Sequence, residues 1–183
     1  MESFPHLVTK QLNLRRLQLA DLPRLVLFAN NPKISDQILN IPYPYFEDDA
    51  INRLNLVIEG FKSKARFIFC IALKTDNQLV GEIGLHLNKD QNNAQLGYWI
   101  AEKFWGQGLA TEATGAVLKF GFEVLNLQKI YATHYPNNPA SAMVITRNGM
   151  IKEAELKDHY KVNDEYRSII QYRLTHEEYL LSK

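Results

Sequence analysis

The chain has 183 residues, 46% of them hydrophobic and 22% charged, and a formal net charge of +1. That length suits one compact unit, and the balance excludes an intrinsically disordered chain. Lys and Arg are scattered rather than striped, which argues against nucleic acid or an anionic membrane as the main partner.

Residues 7–19 alternate, with Leu12, Leu14, Leu17 and Leu19 set against Asn13, Arg15, Arg16 and Gln18. With one slip in register, this predicts a first strand. The charges at Lys10, Arg15 and Arg16 break what would otherwise be a signal-peptide core, and no apolar run is long enough to span a bilayer, so a cytoplasmic protein is expected. Asp21 reads as the N-cap of a helix carrying Leu22, Leu25, Val26 and Ala29, which Asn30-Asn31-Pro32 ends. Ile41-Pro42-Tyr43-Pro44-Tyr45 is incompatible with a helix and reads as a stiff aromatic loop. A second helix opens near Glu47, where Glu47-Asp48-Asp49 complement the helix dipole, with Ile51, Leu54, Val57, Ile58 and Phe61 as its apolar face.

Three strands follow, over residues 66–74, 79–87 and 94–101, the last two forming a hairpin around Asn88–Asn93. Cys70 lies in the apolar run Phe67-Ile68-Phe69-Cys70-Ile71-Ala72-Leu73 and reads as a buried structural thiol that fits a reducing compartment. A long helix then runs to about Leu125 on a stripe of Leu109, Ala113, Val117, Phe120 and Val124. Lys129 to Tyr135 is a strand, Ala140 to Asn148 a short helix stopped by Gly149, and residues 151–160 and 166–174 a last antiparallel pair before a terminal helix. The order β-α-α-β-β-β-α-β-α-β-β describes a mixed α/β sheet, mostly antiparallel, with one parallel crossover where a strand, a glycine turn, a helix and a strand succeed one another.

The most informative segment lies at that crossover: Phe104-Trp105-Gly106-Gln107-Gly108-Leu109-Ala110-Thr111-Glu112-Ala113. Small residues at 106, 108 and 110 let the chain turn sharply and leave backbone N–H groups uncovered at the positive end of a helix, a receptor for a pyrophosphate. It is neither a P-loop, lacking Gly-Lys-Ser/Thr, nor a dinucleotide G-x-G-x-x-G fingerprint. By itself the segment equally suits a plain glycine-rich turn.

The element order and this loop resemble the GNAT superfamily of acetyltransferases, whose loop reads Gln/Arg-x-x-Gly-x-Gly/Ala. Gly108 and Ala110 match its last two defined positions, and Trp105 stands where Gln or Arg is usual. Tryptophan there, with Gly-x-Gly and Thr111-Glu112-Ala113 after it, resembles the RimJ/RimL-type ribosomal-protein N-acetyltransferases. Leu96-Gly97-Tyr98-Trp99-Ile100, Asn138-Pro139-Ala140-Ser141, Arg147-Asn148-Gly149-Met150 and Asn163-Asp164-Glu165-Tyr166 extend the similarity over nearly the whole chain. The resemblance implies a single GNAT N-acetyltransferase domain over residues 1–183 that uses acetyl-CoA. Tyr98, Trp99 and Ile100 would flank the pantetheine arm. Trp105, Gly106, Gln107, Gly108, Leu109, Ala110 and Thr111 would form the pyrophosphate loop, with Asn138 against the arm and Ser141 near its sulfur. Trp99 and Ile100 equally read as core, Asn138 as the residue before a turn proline, and Ser141 as a first-turn cap.

Acetyl transfer needs a neutral amine, a donor for the oxyanion, which a backbone N–H of strand 94–101 can be, and a proton for the departing thiolate, which Ser141 can supply. Related proteins carry a glutamate where this chain has Gln95, so the base has to be sought elsewhere. With the hairpin closed around residues 88–93, His86 faces Gln95 and Glu82 faces Trp99 on one face. His86 and Glu82 are therefore candidate bases, each equally readable as an ordinary sheet residue; Tyr160 and a water relay are further candidates. Tyr43, Tyr45, Gln95 and Tyr160 are the candidate acceptor-binding residues. His6, His159 and His176 show no metal-ligand spacing, so no metal is expected. The expected acceptor is the α-amine of a peptide or protein N-terminus. A small amine such as a polyamine or aminoglycoside is the alternative, and a catalytically silent acetyl-CoA-binding module a rival of another class. The chain is expected to act as a monomer or homodimer.

Overall fold

The computed structural model describes residues 3–162 and 164–182, so Asn163 of the last turn lies outside the described residues. The N-terminal alternation folds as two short strands, β1 (Leu7–Val8) and β2 (Leu12–Arg15), rather than one strand reaching residue 19. They pair antiparallel with Leu7 opposite Leu14, so the slip in register is the hairpin turn itself. Leu17 is buried beneath the helices that follow, and Leu19 is exposed in a 3-10 turn, Leu19–Asp21.

Helix α1 (Leu22–Ala29) begins after Asp21, whose carboxylate does not cap it. Instead it accepts two bonds from the Arg15 guanidinium at 2.8 Å and one from the Gln18 N–H. Two bonds from a guanidinium outweigh the single N–H bond of a cap. One short extra turn, α2 (Pro32–Ser35), was not foreseen; Asn31 caps it by accepting from the Lys33 N–H.

Next come α3 (Glu47–Lys62), β3 (Arg66–Leu73), β4 (Leu79–Asn88), β5 (Asn93–Ile100), α4 (Leu109–Glu123) and β6 (Lys129–His134). The chain finishes with α5 (Pro139–Arg147), β7 (Ile151–Val162), β8 (Glu165–Thr175) and α6 (His176–Leu181). Among the described residues eight strands join one sheet in the order β1-β2-β3-β4-β5-β6-β8-β7, in which β5 and β6 pair parallel. That is the expected crossover, made by α4.

Strand β3 shows how the sheet divides its core. Phe67, Phe69 and Ile71 point into one cluster with α4, while Ile68, Cys70 and Ala72 point into the other with α1 and α3. Both faces of the strand are buried, so it reads as a continuous apolar run, and burial pushes the Cys70 thiol far up from its ordinary pKa. Helix α3 lies on Ala50, Leu54, Val57 and Gly60, a face rotated from the expected one, with Ile51 exposed. A Cβ at Gly60 would stand 3.0 Å from the Arg66 Cβ, so the helix approaches β3 too closely for large residues along that line. Val124, expected on the α4 stripe, is also exposed because the helix ends at Glu123. Among the described residues no helix is long and apolar enough to cross a membrane.

Candidate active site

Strand β5 pairs with β4 along its whole length but with β6 only from Asn93 to Leu96, opposite Lys129 to Ala132. Beyond that point the parallel strands lose their pairing. The Ala101 N–H donates to the Val80 carbonyl at 2.8 Å. The alternation of an antiparallel ladder therefore turns the backbone groups of Tyr98 and Ile100 away from β4 and into the opening. Gly97, in the middle of a central strand, is exposed, and a Cβ built there would meet nothing within 4 Å. The opening thus reaches the α1/α3 face at Gly97 and has Tyr98 on the α4/α5 face.

The glycine turn stands beside this opening. The Trp105 indole N–H donates to the Ile100 carbonyl at 2.6 Å, fixing the loop to the end of β5. Gly106 and Gly108 adopt φ values of +75° and +77°, and neither would crowd a neighbour if it carried a Cβ. They are needed for backbone conformation, and the space above them is open. The first helical bond of α4 runs from the Glu112 N–H to the Gly108 carbonyl, so the N–H groups of Leu109, Ala110 and Thr111 have no partner within the helix. Leu109 is buried and pins the turn, the Gln107 side chain donates to the Lys103 carbonyl, and the Thr111 carbonyl accepts from Asn148. A 15-residue helix whose first three amides have no helical partner has the chemistry to receive an extended anion, and these residues fit a pyrophosphate.

On the α4/α5 face the Tyr98 hydroxyl lies 2.9 Å from the Ser141 hydroxyl. Burial pushes the Tyr98 pKa up to about 12, and the Ser141 hydrogen bond pulls slightly the other way. Ser141 does not use its hydroxyl as a helix cap: the cap is Asn138, whose Oδ1 accepts from the Ser141 N–H at 3.0 Å. The Asn138 amide also donates to Gln37 Oε1 at 3.1 Å, tying the start of α5 to the segment after α2.

On the opposite face the hairpin register is the expected one, Glu82 opposite Trp99 and His86 opposite Gln95. The loop is shorter than expected, because Asn88 and Asn93 still pair. Glu82 is only 2% exposed. It accepts from the Trp99 indole at 3.0 Å and pairs with Arg53 at 3.1 Å, which removes it as a free base. The His86 pKa is pushed down to about 4, first by burial and then by Arg66 and Arg53. The ring is therefore neutral, and a weak base, at physiological pH. Gln95 donates to the Thr133 hydroxyl at 3.4 Å.

A depressed folded-state pKa makes His86 contribute stability that is full above about 6.5 and is lost as pH falls toward about 4. Between pH 7.5 and 4.5, His86→Gln should lose roughly 2 kcal/mol less unfolding free energy than the parent, after discounting for the part of the ring that water reaches. Urea titrations at the two pH values measure this; equal losses would mean that the ring is not desolvated.

Tyr160 sits half-buried on β7 opposite Arg167. Arg167 donates to the Asp36 carbonyl at 3.0 Å and lies over the Tyr135 ring, so the last hairpin folds back toward α2. Burial raises the Tyr131 and Tyr135 pKa values, with a smaller contribution from Tyr160 to each. Tyr43 is exposed, but Tyr45 is 4% exposed and packs in the α1/α3 core, so it is not part of an open acceptor wall. The loop stiffened by Pro42 and Pro44 turns one tyrosine in and the other out.

Several residues of the site carried no motif. Arg53, Gln37, Arg167 and Tyr131 belonged to no motif that pointed to a site role. Gly97 pairs with Gly84 in the register that set His86 opposite Gln95, so one more step along that ladder would have found two facing glycines. Among the described residues no group of three or more His, Cys, Asp or Glu side chains is placed to hold a metal.

Residues 11–151 match the acetyltransferase (GNAT) domain family. The Bacillus subtilis protein YdaF, whose name places it among ribosomal N-acetyltransferases, is 35% identical over 160 residues, covering 86% of this chain and 80% of YdaF. A GNAT-family acetyltransferase of Bacillus anthracis superposes with a TM-score of 0.84 at 25% identity, over 94% of this chain and 99% of that one. A spermidine N-acetyltransferase of Vibrio cholerae, solved with CoA and spermine, superposes with a TM-score of 0.79 at 25% identity, over 93% and 98%.

Proposed function

This chain belongs to the GNAT acetyltransferase family, and we propose that the amine it acetylates is the α-amine of a peptide or protein N-terminus. Acetyl-CoA supplies the acyl group, activated as a thioester. In this reading the free amides of Leu109, Ala110 and Thr111, with the turn Trp105 to Gly108, hold its pyrophosphate. The backbone of Tyr98 and Ile100 lines the opening for its arm, beside Trp99 and Asn138. A β5 backbone N–H receives the charge that develops on the carbonyl oxygen, and the Tyr98–Ser141 hydroxyl pair supplies hydrogen bonds to the sulfur. The amine enters over Gly97, between Gln95 and Trp99, with Tyr43 and Tyr160 toward the rim.

The carrying observation is the state of the acceptor face. The carboxylate beside Gly97 in the ladder, Glu82, is already held by Arg53 and Trp99, and the neighbouring His86 is a weak base. A polycation calls for carboxylates free to receive it, and a site with a weak base needs an acceptor that arrives neutral. At pH 7 roughly one α-amine in ten is neutral, against roughly one lysine-type amine in two thousand. The aromatic groups at the mouth and Arg167 suit a peptide chain, and the likeness to YdaF supports the same class.

A polyamine is the second reading, because a spermidine N-acetyltransferase is also among the structural relatives. A screen of thiol release should give short peptides with a free α-amine a kcat/KM at least tenfold above those of spermidine, kanamycin and Nα-blocked lysine peptides. Faster turnover of spermidine or kanamycin than of every peptide overturns the assignment, and no thiol release with any amine makes the chain a silent coenzyme-binding module.

A further inference from the structure

His134 closes β6 at the point where the parallel strands have parted. It is 7% exposed, and its Nε2 is buried without a hydrogen-bond partner. Its Nδ1 lies 2.7 Å from the Tyr135 carbonyl, which can only accept, so Nδ1 carries a proton and, in the neutral ring, Nε2 is an acceptor. A buried unsatisfied acceptor is costly to leave unmade and calls for a ligand or water to complete it.

The place of this atom is informative. Ala94 faces Ile130 and Leu96 faces Ala132 across the parallel pair. Continuing that register by two residues sets His134 level with Tyr98 across the opening, both side chains on the α4/α5 face. Tyr98 is bonded to Ser141 of α5. The β5 lip of the opening thus carries a completed hydroxyl pair, and the β6 lip carries an unfilled acceptor.

We propose that His134 Nε2 accepts a hydrogen bond from the arm of coenzyme A, whose donors are two amide N–H groups, the pantoyl hydroxyl and the terminal thiol. The inference rests on reading the opening as the coenzyme site, but it can fail alone. His134 would then be a specificity group for the arm, while the amides at the start of α4 hold the pyrophosphate. The incoming donor removes the penalty of the bare nitrogen, so this contact favours the bound state without stabilising the free protein.

Asparagine and glutamine separate the two ring nitrogens. In His134→Asn the side-chain amide can still donate to the Tyr135 carbonyl, but nothing replaces Nε2; in His134→Gln an amide oxygen can reach the Nε2 position. By calorimetric titration His134→Asn should bind coenzyme A roughly three- to tenfold more weakly, as for one lost neutral hydrogen bond. His134→Gln should stay within about twofold of the parent, and adenosine 3′,5′-bisphosphate, which has no arm, should bind parent and both variants alike. S-methyl-coenzyme A separates the thiol from the other donors: the same loss assigns an amide N–H or the hydroxyl, and no loss assigns the thiol. In the unsubstituted protein labelled with 15N-histidine, the unprotonated nitrogen of His134 should shift upfield on adding coenzyme A, which needs no variant to fold. Coenzyme A bound equally by parent and His134→Asn, an equal loss in His134→Gln, an equal loss for the bisphosphate, or an unmoved 15N signal while coenzyme A binds would each overturn the inference. Failure of the parent to bind coenzyme A would instead strike at the site itself.

Discussion

Replacing Gly108 by valine is expected to weaken coenzyme A binding at least tenfold, about 1.4 kcal/mol, in a protein that still folds. Gly108 is at φ +77°, where a β-branched residue is strained, and a Cβ there would project into the open space above the turn rather than into the protein. The substitution has two outcomes for the loop, both adverse. If the backbone holds, two methyl groups occupy the approach to the amides of Leu109 to Thr111. If it relaxes to negative φ, those amides turn away from a common focus. The strain should also lower stability by roughly 1–2 kcal/mol, or a few degrees in Tm for a chain of this length. Titration well below the variant's Tm separates the two effects. A folded variant with parental affinity would remove this turn from the coenzyme site.

How much of this was legible in the sequence depended on whether a residue's partner lay nearby in the chain. The β4–β5 hairpin is local, and alternation about its loop placed Glu82 opposite Trp99 and His86 opposite Gln95 as found. The glycine turn was legible because positive φ leaves a compositional mark and the amides it exposes belong to the same segment. The state of Glu82 was not legible, since Arg53 reaches it from a helix 29 residues away and converts a candidate base into half of an ion pair. Asp21 misled although its partner is near in the chain, because Arg15, six residues earlier, draws off its carboxylate and no periodicity marks that pairing. Tyr43 and Tyr45 share one motif, and only packing under α1 and α3 decides that Tyr45 is core. Site chemistry that arises when distant elements meet, such as Arg167 with Asp36 or Asn138 with Gln37, leaves no spacing to read.

Ser141→Ala should lower kcat by roughly 10- to 1000-fold while changing coenzyme A affinity by less than about twofold. The structure removes the rival account in which Ser141 is a cap: Asn138 performs that role through the Ser141 backbone N–H, which alanine retains. What alanine deletes is the hydroxyl bonded to Tyr98, worth about 1 kcal/mol of stability, so Tm should fall by only a few degrees. Because burial holds the Tyr98 pKa at about 12, the pair stays protonated through the working range, and the kcat defect should be the same at every pH from about 6 to 10. Tyr98→Phe should produce a defect of similar kind, and the double variant should be little worse than the poorer single one, since the two hydroxyls act as one hydrogen-bonded unit. Steady-state kinetics of the three variants with a saturating acceptor peptide measure this. A Ser141→Ala protein with parental kcat and a Tm lowered by many degrees would make the hydroxyl pair structural and leave the departing sulfur to be served from elsewhere.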